Sequence, residues 1–250
     1  MKGNPWPFLR IAHRGAAGLE PENTLRAIEA ALRLGVEMVE IDTRPCADGT
    51  LLVVHDDDLS RVAGVRRRVS RSTREQLRDI DVGKDERIPP LDDVLDLLKG
   101  RALVNIDQKL DDLAPQLLKV IDRTSRREEI MLSGHAPRTF AQMRELAPEV
   151  RISRSLGARW RGKPRRLLAR WTVAGARGEA GRIITRGRAA QADALTLDYR
   201  LANPRVTTYC KRAGFAVLVW TVDDLPTMRA LRAAGVDGIT SNRPDLLMQV

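Results

Sequence analysis

The sequence predicts an α/β fold, a single-domain (β/α)8 TIM barrel, and three observations carry that prediction. Short apolar runs alternate with amphipathic stretches along the chain, the pattern of βα units around a parallel sheet. Strands begin near residues 8, 36, 102, 129, 150, 192, 216 and 238, and eight such units in 250 residues match the usual size of one barrel. Polar residues recur at the C-terminal strand ends, where barrel enzymes keep their chemistry. A doubly wound open sheet would need a glycine-rich phosphate loop after its first strand, and His13-Arg14-Gly15 is not one.

Phe8 to Ala12 reads as the first strand. Thr24 to Leu34 follows as a helix, with Asn23 or Thr24 as its N-cap, Leu25, Ile28, Ala31 and Leu32 on its apolar face, and Gly35 just past its end. Val36 to Thr43 is the second strand, and a turn at Asp48-Gly49 leads into an extended run, Leu51 to Val54, that delivers His55-Asp56. Pro89-Pro90 opens the helix Leu91 to Leu98, whose first turn carries Asp92 and Asp93 where the helix dipole favours negative charge. Strand Ala102 to Asp107, helix Asp112 to Asp122, strand Glu129 to Leu132, helix Pro137 to Leu146 and strand Val150 to Ser153 continue the rhythm. It resumes with strand Ala192 to Leu197, helix Pro204 to Ala213, strand Ala216 to Val222, helix Leu225 to Ala234 and strand Gly238 to Ser241, closed by Pro244 to Met248. The barrel is expected to span residues 1–250, with a short insertion at about 57–87 and an irregular loop or helix segment at about 157–191.

Composition limits the partners. The 43 Lys and Arg exceed the 33 Asp and Glu, leaving a formal charge of +10. That balance points to anionic partners, but the arginines are scattered among acids except at Arg66-Arg67-Arg68, Arg126-Arg127 and Arg165-Arg166. Solvated helix faces look the same, and no nucleic-acid motif is present. Cys46 and Cys210 are too few for a disulfide framework or a zinc site. No run approaches the roughly 18 apolar residues of a membrane span, and residues 1–10 lack a signal-peptide core. The expected location is therefore the reducing cytoplasm.

The strand ends carry the chemistry. Glu40 and Asp42 alternate, so both side chains leave one face of a strand, about 7 Å apart. Asp107 ends the neighbouring strand, and three carboxylates at one barrel mouth suit one hard divalent cation, Mg2+ or Ca2+. In isolation, Glu40 and Asp42 would more readily be read as pairing with Arg14 and Arg44 in a structural network, and it is the third acid and the two histidines at equivalent strand ends that favour the cation. His13 and His55 both fall at strand ends, and two imidazoles beside a cation can divide acid and base work near neutral pH. Arg14 and Lys109 supply fixed positive charge for a phosphate. Trp220 either closes the core or flanks the substrate, and His135 either lines the pocket or is a plain loop residue. Spacing and chemistry alone give metal-assisted phosphoryl transfer or phosphodiester cleavage.

The motifs say more. His13-Arg14-Gly15, Pro21-Glu22-Asn23-Thr24, Glu40-Ile41-Asp42, Asp48-Gly49 and Val53-Val54-His55-Asp56 resemble the glycerophosphodiester phosphodiesterase family. The likeness continues through Ile88-Pro89-Pro90-Leu91, Asn105 to Lys109, Trp220-Thr221-Val222 and Gly235 to Ile239, covering nearly the whole chain in order. Related barrels with paired histidines include phosphatidylinositol phospholipase C-like and sphingomyelinase D-like enzymes. The resemblance implies that His13 and His55 are the acid–base pair, that Glu40, Asp42 and Asp107 hold one divalent metal, and that Arg14 and Lys109 contact phosphate. It also implies attack by a glycerol hydroxyl, loss of the alcohol, and opening of a cyclic phosphate by water to give glycerol phosphate.

Three departures from the family pattern stand out. Asp107 replaces the usual Glu, and Asn242 the usual Asp of the closing motif, where it is expected to support the barrel floor or loop geometry with little effect on chemistry. The insertion Asp57 to Arg87 is short, so the pocket is expected to be open. The expected partner is a small phosphodiester, with no nucleic acid and with peripheral contact to an anionic membrane surface. A lysophospholipid-directed phospholipase D-type enzyme is the alternative, with Trp160, Trp171 and Leu167-Leu168 as candidates for an acyl groove, and a non-catalytic barrel binding anionic lipid or nucleic acid is another.

Overall fold

Eight strands close into a ring in the computed structural model, which describes residues 7–124, 126–157 and 173–250. They are β1 (Leu9–His13), β2 (Met38–Pro45), β4 (Leu103–Gln108), β5 (Ile130–Gly134), β6 (Arg151–Leu156), β7 (Ala194–Asp198), β8 (Ala216–Trp220) and β9 (Gly238–Ser241). Each pairs in parallel with its neighbours, and β1 bonds both β2 and β9 to close the barrel. Strand β3 (Leu51–Val53) lies outside this ring as an antiparallel partner to the upper end of β2. The α-helices between strands are α1 (Leu25–Leu34), α2 (Ser60–Ala63), α3 (Arg74–Leu77), α4 (Leu91–Leu98), α5 (Ala114–Thr124), α6 (Pro137–Leu146), α7 (Val173–Ala189), α8 (Pro204–Arg212), α9 (Leu225–Ala233) and α10 (Pro244–Leu247).

Alternation along the strands separates two cores. One face points outward, where Val39, Ile41, Val104, Ile106 and Leu132 pack under α1, α4, α5 and α6, and Leu195, Leu197, Val217 and Val219 under α7 to α9. The other face fills the barrel with Leu9, Ile11, Met38, Met131, Ala194, Ala216 and Leu218. Continuing upward, the inward positions turn polar: His13, Glu40 and Asp42, Asn105 and Asp107, Ser133, Ser155, Thr196 and Thr240, with Trp220 at the rim. An apolar plug thus supports a polar mouth.

Helix ends follow the local sequence. Thr24 caps α1 by accepting from the Ala27 N–H, and Gly35 ends it in the left-handed region. Strand β6 runs on to Leu156, past the Ser153 end expected from the sequence, and so carries Ser155 to the mouth. The stretch that lacks a clear period in the sequence contains α7, a helix of 17 residues. Its buried residues Ala176, Ala180, Ile183 and Gly187 do recur at helical spacing, but they are mostly small, so the period lies in size and not in hydrophobicity. Trp160, Leu167-Leu168 and Trp171 lie outside the described residues.

The segment between β3 and α4 is a packed unit. Helices α2 and α3 and a 3-10 turn at Val69–Arg71 enclose Leu52, Val54, Leu59, Val69, Leu77 and Ile88. Thr73 and Gln76 cap α3 reciprocally. Among the described residues, no helix is long and apolar enough to cross a membrane. Cys46 and Cys210 are both free and buried.

Candidate active site

Strand register assembles the mouth. His13 stands beside Glu40 across β1 and β2, and across β2 and β4 Glu40 faces Asn105 while Asp42 faces Asp107. The β2–β3 hairpin climbs past the rim and returns, its Val54 N–H donating to the Asp42 carbonyl, so that His55 comes down onto the same cavity. The cavity holds about 350 Å³, and its wall contains His13, Arg14, Glu40, Asp42, His55, Asp107, Lys109 and Trp220. All eight residues singled out in the sequence therefore meet in one place. His135 lines it too, beside Gly134.

The three acids offer oxygens within 4.8 Å of one another. Glu40 and Asp42 are buried, and Asp107 is partly so. Burial, then the charges of Asp42 and Asp107, push the Glu40 carboxyl well above the usual carboxylate range. For Asp42 burial acts the same way, yet Lys109 and Arg14 outweigh it and hold the group below its ordinary value. The Lys109 ammonium sits 2.6 Å from Asp42 Oδ1 and also donates to Asp107 Oδ2. Burial lowers that lysine, but the two acids win and raise it. A positive group already bridges two of the three acids. This all-oxygen set fits a hard divalent cation.

Each functional side chain has its own brace. Arg14 takes a left-handed backbone conformation at φ 52°. Its N–H donates to Glu40 Oε2 at 3.0 Å, and its guanidinium lies 3.0 Å from Asp42 Oδ2 and 2.9 Å from Glu22 Oε1. Asn23, also left-handed at φ 59°, donates to Asp42 Oδ2 at 2.8 Å and accepts from the Asp42 N–H. Glu22 and Asn23 thus do more than start a helix. His55 Nδ1 is 2.8 Å from Asp56 Oδ1, and Arg61 of α2 joins Asp56 to Glu22 with contacts of 2.6 to 2.8 Å. Against the cost of burial, His55 and Arg61 keep Asp56 below the usual range. The insertion is in this way tied, through Glu22 and Asp56, to both Arg14 and His55.

His13 Nδ1 lies 2.6 Å from Asn242 Oδ1, and its Nε2 lies 3.8 Å from Glu40 Oε2. Burial, followed by the charge of Arg14, holds the imidazole below its ordinary value. The Asn242 contact corrects the expectation that this residue serves the barrel floor or loop geometry alone, because its side chain touches a histidine of the mouth. Sequence reasoning also passed over Asn105, Ser133 and Ser155. Asn105 stands at an inward position of an expected strand, and Ser133 and Ser155 lie just past the expected ends of two others, so two-residue alternation carried beyond those ends was the signal that would have found them. Gly134 has φ 117°, and a Cβ there would meet Gln108 O at 2.9 Å and Asp107 Oδ1 at 3.0 Å, so the position keeps room for Asp107. Trp220 is 37% exposed and donates to the Thr196 carbonyl at 3.3 Å, holding its ring at the rim.

The imidazoles of His13 and His55, three carboxylates and two fixed positive charges line this one barrel-mouth cavity, a set suited to cleaving a phosphoric diester. Residues 13–246 match the model of the glycerophosphoryl diester phosphodiesterase family. The chain belongs to that family. A glycerophosphodiester phosphodiesterase of Caldanaerobacter subterraneus is 28% identical over 97% of both chains. A probable glycerophosphodiester phosphodiesterase 2 of Mycobacterium tuberculosis is 31% identical, over 97% of this chain and 90% of its own. Among solved structures, an Oleispira antarctica phosphodiesterase in complex with the product sn-glycerol-3-phosphate shares the fold at a TM-score of 0.81 and 21% identity, covering 97% of this chain and 96% of its own.

Proposed function

We propose that the protein hydrolyses glycerophosphodiesters to glycerol 3-phosphate and an alcohol with the help of one divalent cation, Mg2+ or Ca2+, and that His13 and His55 divide the proton transfers. The observation that supports this reading is the convergence of both histidines on the cavity that holds Glu40, Asp42 and Asp107. When bound by those three acids, the cation would neutralise charge on the phosphate oxygens. Arg14 and Lys109, released from the acids they now pair with, would contact the same phosphate. One histidine takes the proton of a glycerol hydroxyl as its oxygen bonds to phosphorus, and the other gives a proton to the departing alcohol oxygen. The resulting cyclic phosphate is opened by water, with the two histidines exchanging roles. The product bound by the Oleispira antarctica phosphodiesterase, sn-glycerol-3-phosphate, accords with this outcome.

We assign the protein to the cytoplasm, where two buried, unpaired cysteines suit a reducing compartment. Peripheral contact with an anionic lipid surface is favoured by one further observation. Of the six exposed large apolar side chains among the described residues, Leu19, Val65, Leu110, Val173 and Trp220 lie on the catalytic side of the barrel, and only Leu146 ends a helix on the far side. Val65 adjoins the exposed Arg66-Arg67-Arg68.

The deciding assay supplies glycerophosphocholine or lysophosphatidylcholine with Mg2+, Ca2+ or a chelator and measures released alcohol and phosphomonoester. Cation-dependent turnover of glycerophosphocholine that disappears in His13→Ala and His55→Ala is expected. Turnover that survives chelation or either substitution would overturn the mechanism, and exclusive cleavage of lysophosphatidylcholine would favour the phospholipase D-type alternative.

A further inference from the structure

His13 has a neutral partner whose orientation is itself controlled. An asparagine amide can present either its oxygen or its nitrogen to a neighbour. At Asn242 the choice is made by Asp223, at the end of the β8–α9 connection. The Asp223 carboxylate accepts from Asn242 Nδ2 at 2.7 Å, from the Asn242 backbone N–H at 2.8 Å and from Ser241 Oγ at 3.0 Å. An ionised carboxylate has no proton to donate, so the amide nitrogen must face Asp223. The amide oxygen then faces His13 Nδ1, at 2.6 Å. An amide oxygen only accepts, so Nδ1 carries the proton.

We propose that Asp223 is a positioning residue that acts through Asn242 to fix the tautomer of His13, placing its proton on Nδ1 and leaving Nε2 as the nitrogen that exchanges a proton with substrate. The alternative amide orientation would put an N–H against Nδ1 and move the imidazole proton to Nε2, where it blocks proton uptake. Wrong-tautomer states of this kind cost catalysis heavily in histidine hydrolases. The proposal rests on the catalytic role of His13 given above, and the experiment separates the two.

Asp223→Asn can keep an oxygen for the Asn242 backbone N–H and Ser241 Oγ, which share Oδ1, but then sets an amide nitrogen against Asn242 Nδ2 and frees Asn242 to turn. It is expected to lower kcat at least about tenfold with little change in KM, within the range that positioned acid–base groups supply. Asn242→Asp alone sets two carboxylates face to face and is also impaired. Combining them restores the pairing, since the amide introduced at position 223 donates to the carboxylate introduced at position 242, which accepts from His13 Nδ1 in either orientation. Recovery of at least half the lost activity on a logarithmic scale is expected in the double variant. Nitrogen NMR of the imidazoles, read without cation or substrate, should show His13 protonated on Nδ1 in the parent and mixed in Asp223→Asn. Full kcat in Asp223→Asn, a double variant no better than the singles, or an unchanged His13 tautomer would each overturn the proposal. If His13→Ala retains activity, the catalytic reading falls instead.

Discussion

Lys109→Met tests whether the lysine ammonium substitutes for a cation among the acids. In the protein as described, Lys109 compensates Asp42, which is 1% exposed, and Asp107, which is 22% exposed. Removing one member of a buried ion pair leaves an uncompensated charge and costs about 3–5 kcal/mol. Solvent reaching Asp107, and the Arg14 guanidinium that stays 3.0 Å from Asp42, argue for the lower end, about 3 kcal/mol. At about 2–4 °C per kcal/mol for a protein of this size, the chelated variant should melt about 6–12 °C below its parent. Adding Mg2+ or Ca2+ should then narrow the gap. A cation at about a hundred times its dissociation constant contributes about 2.7 kcal/mol, and in the variant it meets no competing ammonium, whereas in the parent it must displace one. Thermal melts of both proteins in chelator and in saturating cation give the four numbers required. Equal melting temperatures in chelator, or a gap that cation leaves unchanged, would refute the idea that lysine and cation share the acids.

Other outcomes follow from the same geometry. Because the Glu40 carboxyl is raised, the folded protein holds its proton more tightly than the unfolded chain. Its contribution to stability is present at low pH and is lost as pH rises from the ordinary value of 4.5 through the folded one. Urea unfolding in chelator should therefore show Glu40→Gln gaining on the parent as pH rises from about 5 to about 8, while cation-dependent turnover is lost. In α7, Gly178→Ala points into open space and should stabilise by about 1 kcal/mol. Gly187→Ala would place a methyl 2.8 Å from Leu195 and Phe215 and should cancel that gain or reverse it, since overpacking costs about 1–3 kcal/mol. Calorimetric melting of the two variants checks the opposite signs.

Legibility in the sequence followed the kind of signal each feature leaves. Strands β1, β2 and β4 announced themselves through apolar runs that stop at charged residues, and those stops line the candidate site. Helix α7 left no such mark, because Ala176, Ala180 and Gly187 pack by being small. The insertion read as a loop because its helices α2 and α3 are four residues each, too short to show a period. Its fold depends on side chains that meet only in three dimensions, such as Arg61 with Glu22 and Asp56. Asn242 was legible as a strand-end residue, but its contact with His13 spans 229 residues of chain. Such a contact appears only once β1 and β9 are known to be neighbours.

That seam between β1 and β9 has a bearing on how the protein reaches its working state. His13 is carried by the first strand of the ring, and Asn242 immediately follows the last. A chain emerging in order from the ribosome has made its histidines, its three mouth acids, Arg14 and Lys109 long before residue 242. It still lacks the partner that orients His13. Turnover is therefore a reporter of ring closure: in refolding, backbone structure should return first, and activity only when the final strand docks.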